Sequence, residues 1–142
     1  MEHEEKVEVY WKKSCENHEA AETSYAKKHF NAAASRYYYA LYQGFFALFE
    51  KRGVSPPTHI RIGTDIVPNR DKGTWPKEEL KVRASFELSD FKPKVRDILR
   101  KALTFRTKGD YKDTPVEERQ LSSIHSDINR LFEVLDKIIH GT

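Results

Sequence analysis

The stretch Asn31–Gly53, NAAASRYYYALYQGFFALFEKRG, constrains the fold more than any other part of the chain. It carries Tyr37, Tyr38, Tyr39, Tyr42, Phe45, Phe46 and Phe49, with Arg36 the one basic residue near its start. No face of a helix drawn through it stays polar for long, and a helix that is apolar nearly all round is one that other helices surround. The segment is therefore expected to be the central post of a helical domain. Ala32, Ala33, Ala34 and Ser35 are small enough to let a neighbouring helix come close. So much aromatic surface on a chain of 142 residues also predicts a subunit interface, and hence a homodimer.

The neighbours follow from periodicity. Val7, Trp11, Ser14, Cys15, His18, Ala21 and Tyr25 recur at steps of three and four, the mark of one helical face, and predict a first helix from about Glu4 to Ala26. Lys27-Lys28-His29 forms a short basic turn into the aromatic helix, which runs to about Lys51 with Gly53 as its C-terminal cap. The segment from Ser55 to Trp75, with three prolines and two glycines, is irregular apart from an expected helical turn around Ile60 to Ile66. A third helix begins at Pro76, runs through Leu80 and Val82 toward Phe86, breaks near Leu88-Ser89-Asp90 and restarts at Pro93. Val95, Ile98, Leu99, Ala102, Leu103 and Phe105 form its apolar stripe, and Gly109 is expected to end it. For the last helix Thr114 is the expected N-cap, Pro115 the first helical residue and Glu117 the closing member of a capping box. Leu121, Ile124, Ile128, Leu131, Leu135 and Ile138 then make a clean stripe. The reading is all-α: a single domain over residues 1–142, an antiparallel bundle of four main helices with the third one broken.

Composition narrows the function classes. A 33% charged and 38% apolar chain is an ordinary globular one, and a net charge of +3 is too mild to imply nucleic-acid binding by itself. Cys15 is the single cysteine, which excludes an intrachain disulfide and suits a reducing compartment. The acidic start MEHEEKVEVYW is not a signal peptide, and no stretch is apolar enough to span a membrane, so a cytoplasmic location is expected. His3, His18, His29 and His140 show no metal-ligand spacing. His18 and Glu22 stand one helical turn apart, but two ligands without a third make a poor site. Gly53, Gly63 and Gly73 are isolated, so there is no glycine-rich phosphate loop, and no metal or cofactor is expected.

HFNAAASRYYYALYQGFFALFEKRG resembles the second helix of the HEPN domains, with its small-residue, Ser-Arg and Tyr-Tyr-Ala pattern. Thr58-His59 follows it, as a Thr/Ser-His pair does in that family. FRTKGDYKDTPVEER resembles the Arg…Asp-Tyr segment that joins the third helix to a capped fourth, and Trp75-Pro76-Lys77-Glu78-Glu79 the tryptophan-led start of the third. The resemblance runs from about residue 5 to residue 138 and is closest to a compact branch of small stand-alone members. It implies a helical bundle, a nucleotide- or RNA-associated role and a small nucleotidyltransferase as partner in a toxin–antitoxin-like pair. Nuclease members follow an arginine, a few residues later, with a histidine. Arg106 fills the arginine position here, but Tyr111, Lys112 or Asp113 stands where the histidine would be. A binding or partner module without intrinsic catalysis is therefore expected. The alternative is an atypical ribonuclease toxin that uses Arg106 with a substitute histidine.

The candidate ligand-binding residues are Arg36, His59, Arg106, Asp110 and Tyr111. Arg106 and Asp110 stand one turn apart and can pair, while a free Arg106 would grip a phosphate and Tyr111 would stack a base. Arg36, on a helix read as buried, needs a partner, and Asp110 or a carboxylate of the last helix is the natural choice. His59 follows Pro56-Pro57 on the irregular segment, where functional residues gather, and its ordinary pKa suits acid–base work. Arg106, His59 and His125 are the weak catalytic candidates. Arg119 and His125 also match the arginine–histidine spacing, but six steps of about 100° leave them about 120° apart around a helix.

Overall fold

The computed structural model describes residues 3–51, 53 and 95–141. They form four helices: α1 (His3–Ala26), α2 (Phe30–Lys51), α3 (Val95–Tyr111) and α4 (Glu118–His140). No strand occurs among the described residues. The expected turn near Ile60, the Pro76–Phe86 helix, the break after it and His59 all lie outside the described residues.

The aromatic helix is the centre. α1, α3 and α4 all pack against α2, and α3 also meets α4. Tyr37, Leu41, Phe45, Leu48 and Phe49 of α2 are fully buried, with Leu99 of α3 and Leu121, Ile124, Ile128 and Leu131 of α4. Removing such a side chain from water stabilises by about 1.5–3 kcal/mol each. Small residues set the close approaches. Ala33 and Ala34 are buried, and a Cβ at Gly44 would lie 3.1 Å from Leu135 Cδ1 and 3.2 Å from Ser14 Oγ. Ser14, the one buried polar residue among those described, spends its hydroxyl on the Ala40 carbonyl of α2 at 2.5 Å.

The α1 stripe is oriented as its periodicity predicts: Val7, Trp11, Ser14 and Ala21 are buried, and Cys15, His18 and Tyr25 half-buried. Lys28 turns the chain into α2 with a left-handed backbone, φ 62°. α1 and α4 run antiparallel, because Glu8 meets His140, His18 meets Asn129 and Glu22 meets His125.

Four local expectations are corrected. The last helix is capped three residues late: Glu117 is its N-cap, and the Glu117 N–H donates to Gln120 Oε1 at 2.9 Å. The reason lies at Val116, which is buried and donates its N–H to Asn31 Oδ1 at 2.8 Å, so this backbone is committed to α2 before α4 begins. Gly109 does not end α3, which continues to Tyr111. A Cβ at Gly109 would lie 3.2 Å from the Asn31 carbonyl, so glycine serves close approach there rather than termination. In the final turn of α4 it is Ile139, not Ile138, that is fully buried. Finally, Arg36 is exposed, and its guanidinium donates to Asn17 Oδ1 at 3.3 Å instead of pairing with Asp110. One step of about 100° from the buried Tyr37 carries its long side chain to the helix flank, where the charge keeps its water.

Candidate functional site

Arg106 projects from α3 onto the aromatic side of α2. Its Nη2 donates to Tyr39 Oη at 2.7 Å and to Tyr111 Oη at 3.2 Å. The guanidinium carbon lies 5.5, 5.4 and 5.0 Å from the ring centres of Tyr38, Tyr39 and Tyr111, within cation–π range of all three. Asp110 Oδ2 lies 3.2 Å from Nε, one turn along the helix, but the Nε–H is not directed at it and has no hydrogen-bond acceptor. The pair is therefore held by charge alone. Ser35 Oγ donates to the same Asp110 oxygen at 3.3 Å. Burial by itself would pull the Arg106 pKa down; the Tyr39 hydrogen bond, with the charges of Tyr39, Tyr111 and Asp110, outweighs it and holds the guanidinium above its ordinary value. Burial also pushes the Tyr38 phenol up, with Arg106 opposing. Arg106 is only 19% exposed, whereas Tyr111 is 68% exposed at the rim. The arrangement offers a permanent cation in a tyrosine cradle with one aromatic face open to solvent.

Arg106, Asp110 and Tyr111 thus come together, with Arg106 meeting each of the other two. Arg36 is turned toward α1, and His59 lies outside the described residues. Tyr38 and Tyr39 join the site without having been singled out for it. Their signal was present in the aromatic run, but periodicity does not say which ring faces which neighbour.

His125 belongs to a different cluster, on the seam between α1 and α4. Glu22 lies at its centre, 3.3 Å from His125 Nε2 and 3.5 Å from His18 Nε2. Asn129 Oδ1 meets His18 Nε2 at 2.7 Å, and Asn129 Nδ2 lies 3.3 Å from His125 Nε2. His18 stacks flat on Phe132 at 4.2 Å and His125 flat on Tyr25 at 4.1 Å. Below them the Tyr37 hydroxyl is buried without a hydrogen-bond partner. Burial, then the Glu22 charge, drives the Tyr37 pKa far up. Burial would raise Glu22, but the hydrogen bonds from Asn129 and His125 outweigh it and hold the carboxyl below its usual range. The sequence carries a signal for this cluster that only the pairing of the two helices makes readable: His18, Glu22 and Tyr25 on α1 repeat the spacing of His125, Asn129 and Phe132 on α4. Antiparallel packing sets each histidine on the other helix's ring. Arg119, the other half of the sequence-matched pair, is exposed and bonds Glu117 Oε2 at 2.9 Å, so it shares no partner with His125. Among the described residues no group of three or more His, Cys, Asp or Glu side chains is placed to hold a metal ion.

The family model for the HEPN domain matches residues 7–138, nearly the whole chain. The chain belongs to the HEPN domain family. Its all-helical bundle agrees with that membership, and HEPN membership is consistent with an RNA-related function. A comparison with curated proteins finds no match. In this HEPN domain Arg106 is hydrogen-bonded to the exposed Tyr111. No helix among the described residues is long and apolar enough to cross a membrane.

Proposed function

We propose that this HEPN domain is a nucleotide- or RNA-associated binding and partner module centred on Arg106, with no ribonuclease activity of its own. The observation that carries the reading is the Arg106–Tyr111 pair: a fixed guanidinium and an exposed ring, 5.0 Å apart, are what a phosphate and its adjoining base would use. Cleavage at a 2′-hydroxyl needs a base to take the proton and a cation near the phosphate. Arg106 supplies the cation, but Tyr39 and Tyr111 are phenols, poor bases at neutral pH with an ordinary pKa of about 10, and the Asp110 carboxylate beside them is engaged by the Arg106 charge and the Ser35 hydroxyl. His125, the substitute on the described residues, is occupied by Glu22 and Asn129 on another side of α2.

The module works as a homodimer in the cytoplasm beside a small nucleotidyltransferase, in a toxin–antitoxin-like pair. Domains of this family often dimerise, and Tyr10, Tyr39, Tyr42 and Phe46 form a half-buried aromatic strip suited to a second copy. The test is fluorescence anisotropy with a labelled single-stranded oligonucleotide RNA, together with cleavage of structured and unstructured RNA. Arg106→Ala is expected to weaken binding about tenfold or more, and Tyr111→Ala by about fivefold or more, the loss of one stacked base. Wild type is expected to leave both RNAs intact. Robust cleavage that disappears in Arg106→Ala and in His59→Ala or His125→Ala would overturn the reading and name the substitute base.

A further inference from the structure

Arg106 is an anion seat that already holds an anion. A guanidinium offers five N–H donors in a fork that two parallel bonds to a carboxylate or phosphate would satisfy. Here both described hydrogen bonds leave from Nη2, to Tyr39 and Tyr111. The nearest acid, Asp110, brings its charge to 3.2 Å from Nε yet takes no hydrogen bond from it, and Nε is buried with its N–H unspent. Asp110 therefore fills the electrostatic place of an oxyanion without filling its geometric one.

The cradle and its occupant also differ in how firmly they are held. Tyr38 is buried and Tyr39 half-buried in the middle of α2, so the floor under Arg106 does not depend on Asp110. Asp110 and Tyr111 are the last two residues of α3. The helix is anchored just before them, where Gly109 lies against the Asn31 backbone. Past that anchor the Asp110 carboxylate accepts one hydrogen bond among the described residues, from Ser35 Oγ at 3.3 Å, and Tyr111 is 68% exposed. A final helical turn with few buried contacts opens at low cost.

We infer that Asp110 is a resident anion on Arg106, and that a phosphate ligand binds by displacing it as the last turn of α3 swings out with Tyr111. This rests on the reading of Arg106 as the phosphate-binding residue. The incoming phosphate supplies two oxygens where Asp110 supplies one misaligned contact, and the freed Tyr111 ring becomes available to the adjoining base. The site is closed at rest and opened by its own ligand.

The experiment measures binding of two probes to the full chain: AMP by calorimetry, and a fluorescein-labelled ten-nucleotide oligouridine without a terminal phosphate by anisotropy. The first offers a phosphate monoester and the second only diesters, so their ranking tells which source the seat accepts. Asp110→Asn is expected to tighten the preferred probe by about fivefold, the scale set by a partly exposed ion pair. Asp113→Asn makes the same charge change three residues further along, and is expected to stay within about twofold of wild type because exposed charges are screened. The gain is expected to vanish in Arg106→Ala/Asp110→Asn. Added AMP should also raise the melting temperature of Asp110→Asn more than that of wild type. If Arg106→Ala abolishes binding while Asp110→Asn leaves it unchanged or weaker, Asp110 orients Arg106 and the inference is wrong although the binding reading stands. An equal gain in Asp113→Asn would reduce the effect to net charge and likewise overturn it. If neither probe binds wild type or Asp110→Asn, the binding reading itself fails, and the inference with it.

Discussion

Two partly buried polar clusters lie against α2, and their charges are of different kinds. At the α3 end Arg106 is a permanent cation set among the rings of Tyr38, Tyr39 and Tyr111, and the Tyr39 and Tyr111 hydroxyls accept from it. At the α1–α4 seam Glu22 is an anion set between two imidazoles, and the tyrosine below it, Tyr37, makes no hydrogen bond. The first cluster carries a cation that stays charged at any physiological pH, whereas the second is built on a carboxylate held by side chains of two helices. A cluster of fixed charge suits holding an anionic ligand. An anion held between side chains of α1 and α4 suits joining those two helices. The comparison can be broken most directly at the largest fully buried side chain among the described residues.

Tyr37 lies fully buried beneath the seam, and Tyr37→Ala should destabilise the fold by about 3–5 kcal/mol, read from urea unfolding. Tyr37→Phe is the sharper variant. It keeps the packing and removes a buried hydroxyl that has no partner, so it should stay within about 1 kcal/mol of wild type or exceed it. A loss above that would mean the hydroxyl donates to Glu22 in solution, and would make the two tyrosine sets alike after all.

Arg106→Ala should come next in size. The Tyr39 hydroxyl loses a charge-assisted donor and three rings lose their cation, for about 1.5–3 kcal/mol in the same measurement. Unchanged stability combined with lost RNA binding would make this corner purely a ligand site. The binding measurements above remain interpretable in either case if circular dichroism shows the variant folded at the assay temperature.

What could be read from the chain before folding follows the same division. The central place of α2 was legible because its apolar residues leave no face for water, and the stripes of α1 and α4 were legible because burial repeats every three to four residues. The i,i+4 pairing of Arg106 with Asp110 was legible for the same local reason. Features decided between helices were not. Thr114 and Pro115 look like a helix start, but Val116 must first bond Asn31, a residue on α2, and the cap moves to Glu117. Arg36 looks buried by its neighbours in sequence, yet it sits at a flank reached by Asn17. His18 and Glu22 looked like an incomplete pair because the histidine that completes the cluster, His125, arrives from the far end of the chain.

The smallest effect is the one that separates the clusters most cleanly, because it is a shape rather than a size. At the same seam His140 Nε2 meets Glu8 Oε1 at 2.9 Å and His140 Nδ1 meets Asp136 Oδ1 at 2.7 Å. Burial would lower its pKa, but the bonds to Glu8 and Asp136 outweigh this and raise it above the ordinary 6.5. A raised histidine contributes its full stability below 6.5 and loses it as pH rises through the higher folded value. Glu22 is held below the ordinary 4.5, so its contribution is present above 4.5 and is lost as pH falls through the lower folded value. Both contributions are therefore complete between 4.5 and 6.5, and the seam should be firmest in that window. Because His140, Glu8 and Glu22 are all more than a third exposed, each limb should amount to about 0.2–1 kcal/mol. His140→Gln should flatten the alkaline limb of the stability profile and leave the acid limb in place. Arg106→Ala, which removes a charge that does not titrate, should displace the profile by nearly the same amount from about pH 5 to pH 9. A His140→Gln curve parallel to wild type across the alkaline range would show that the histidine pairing contributes nothing to holding α1 on α4. The pH dependence of the seam would then rest on Glu22.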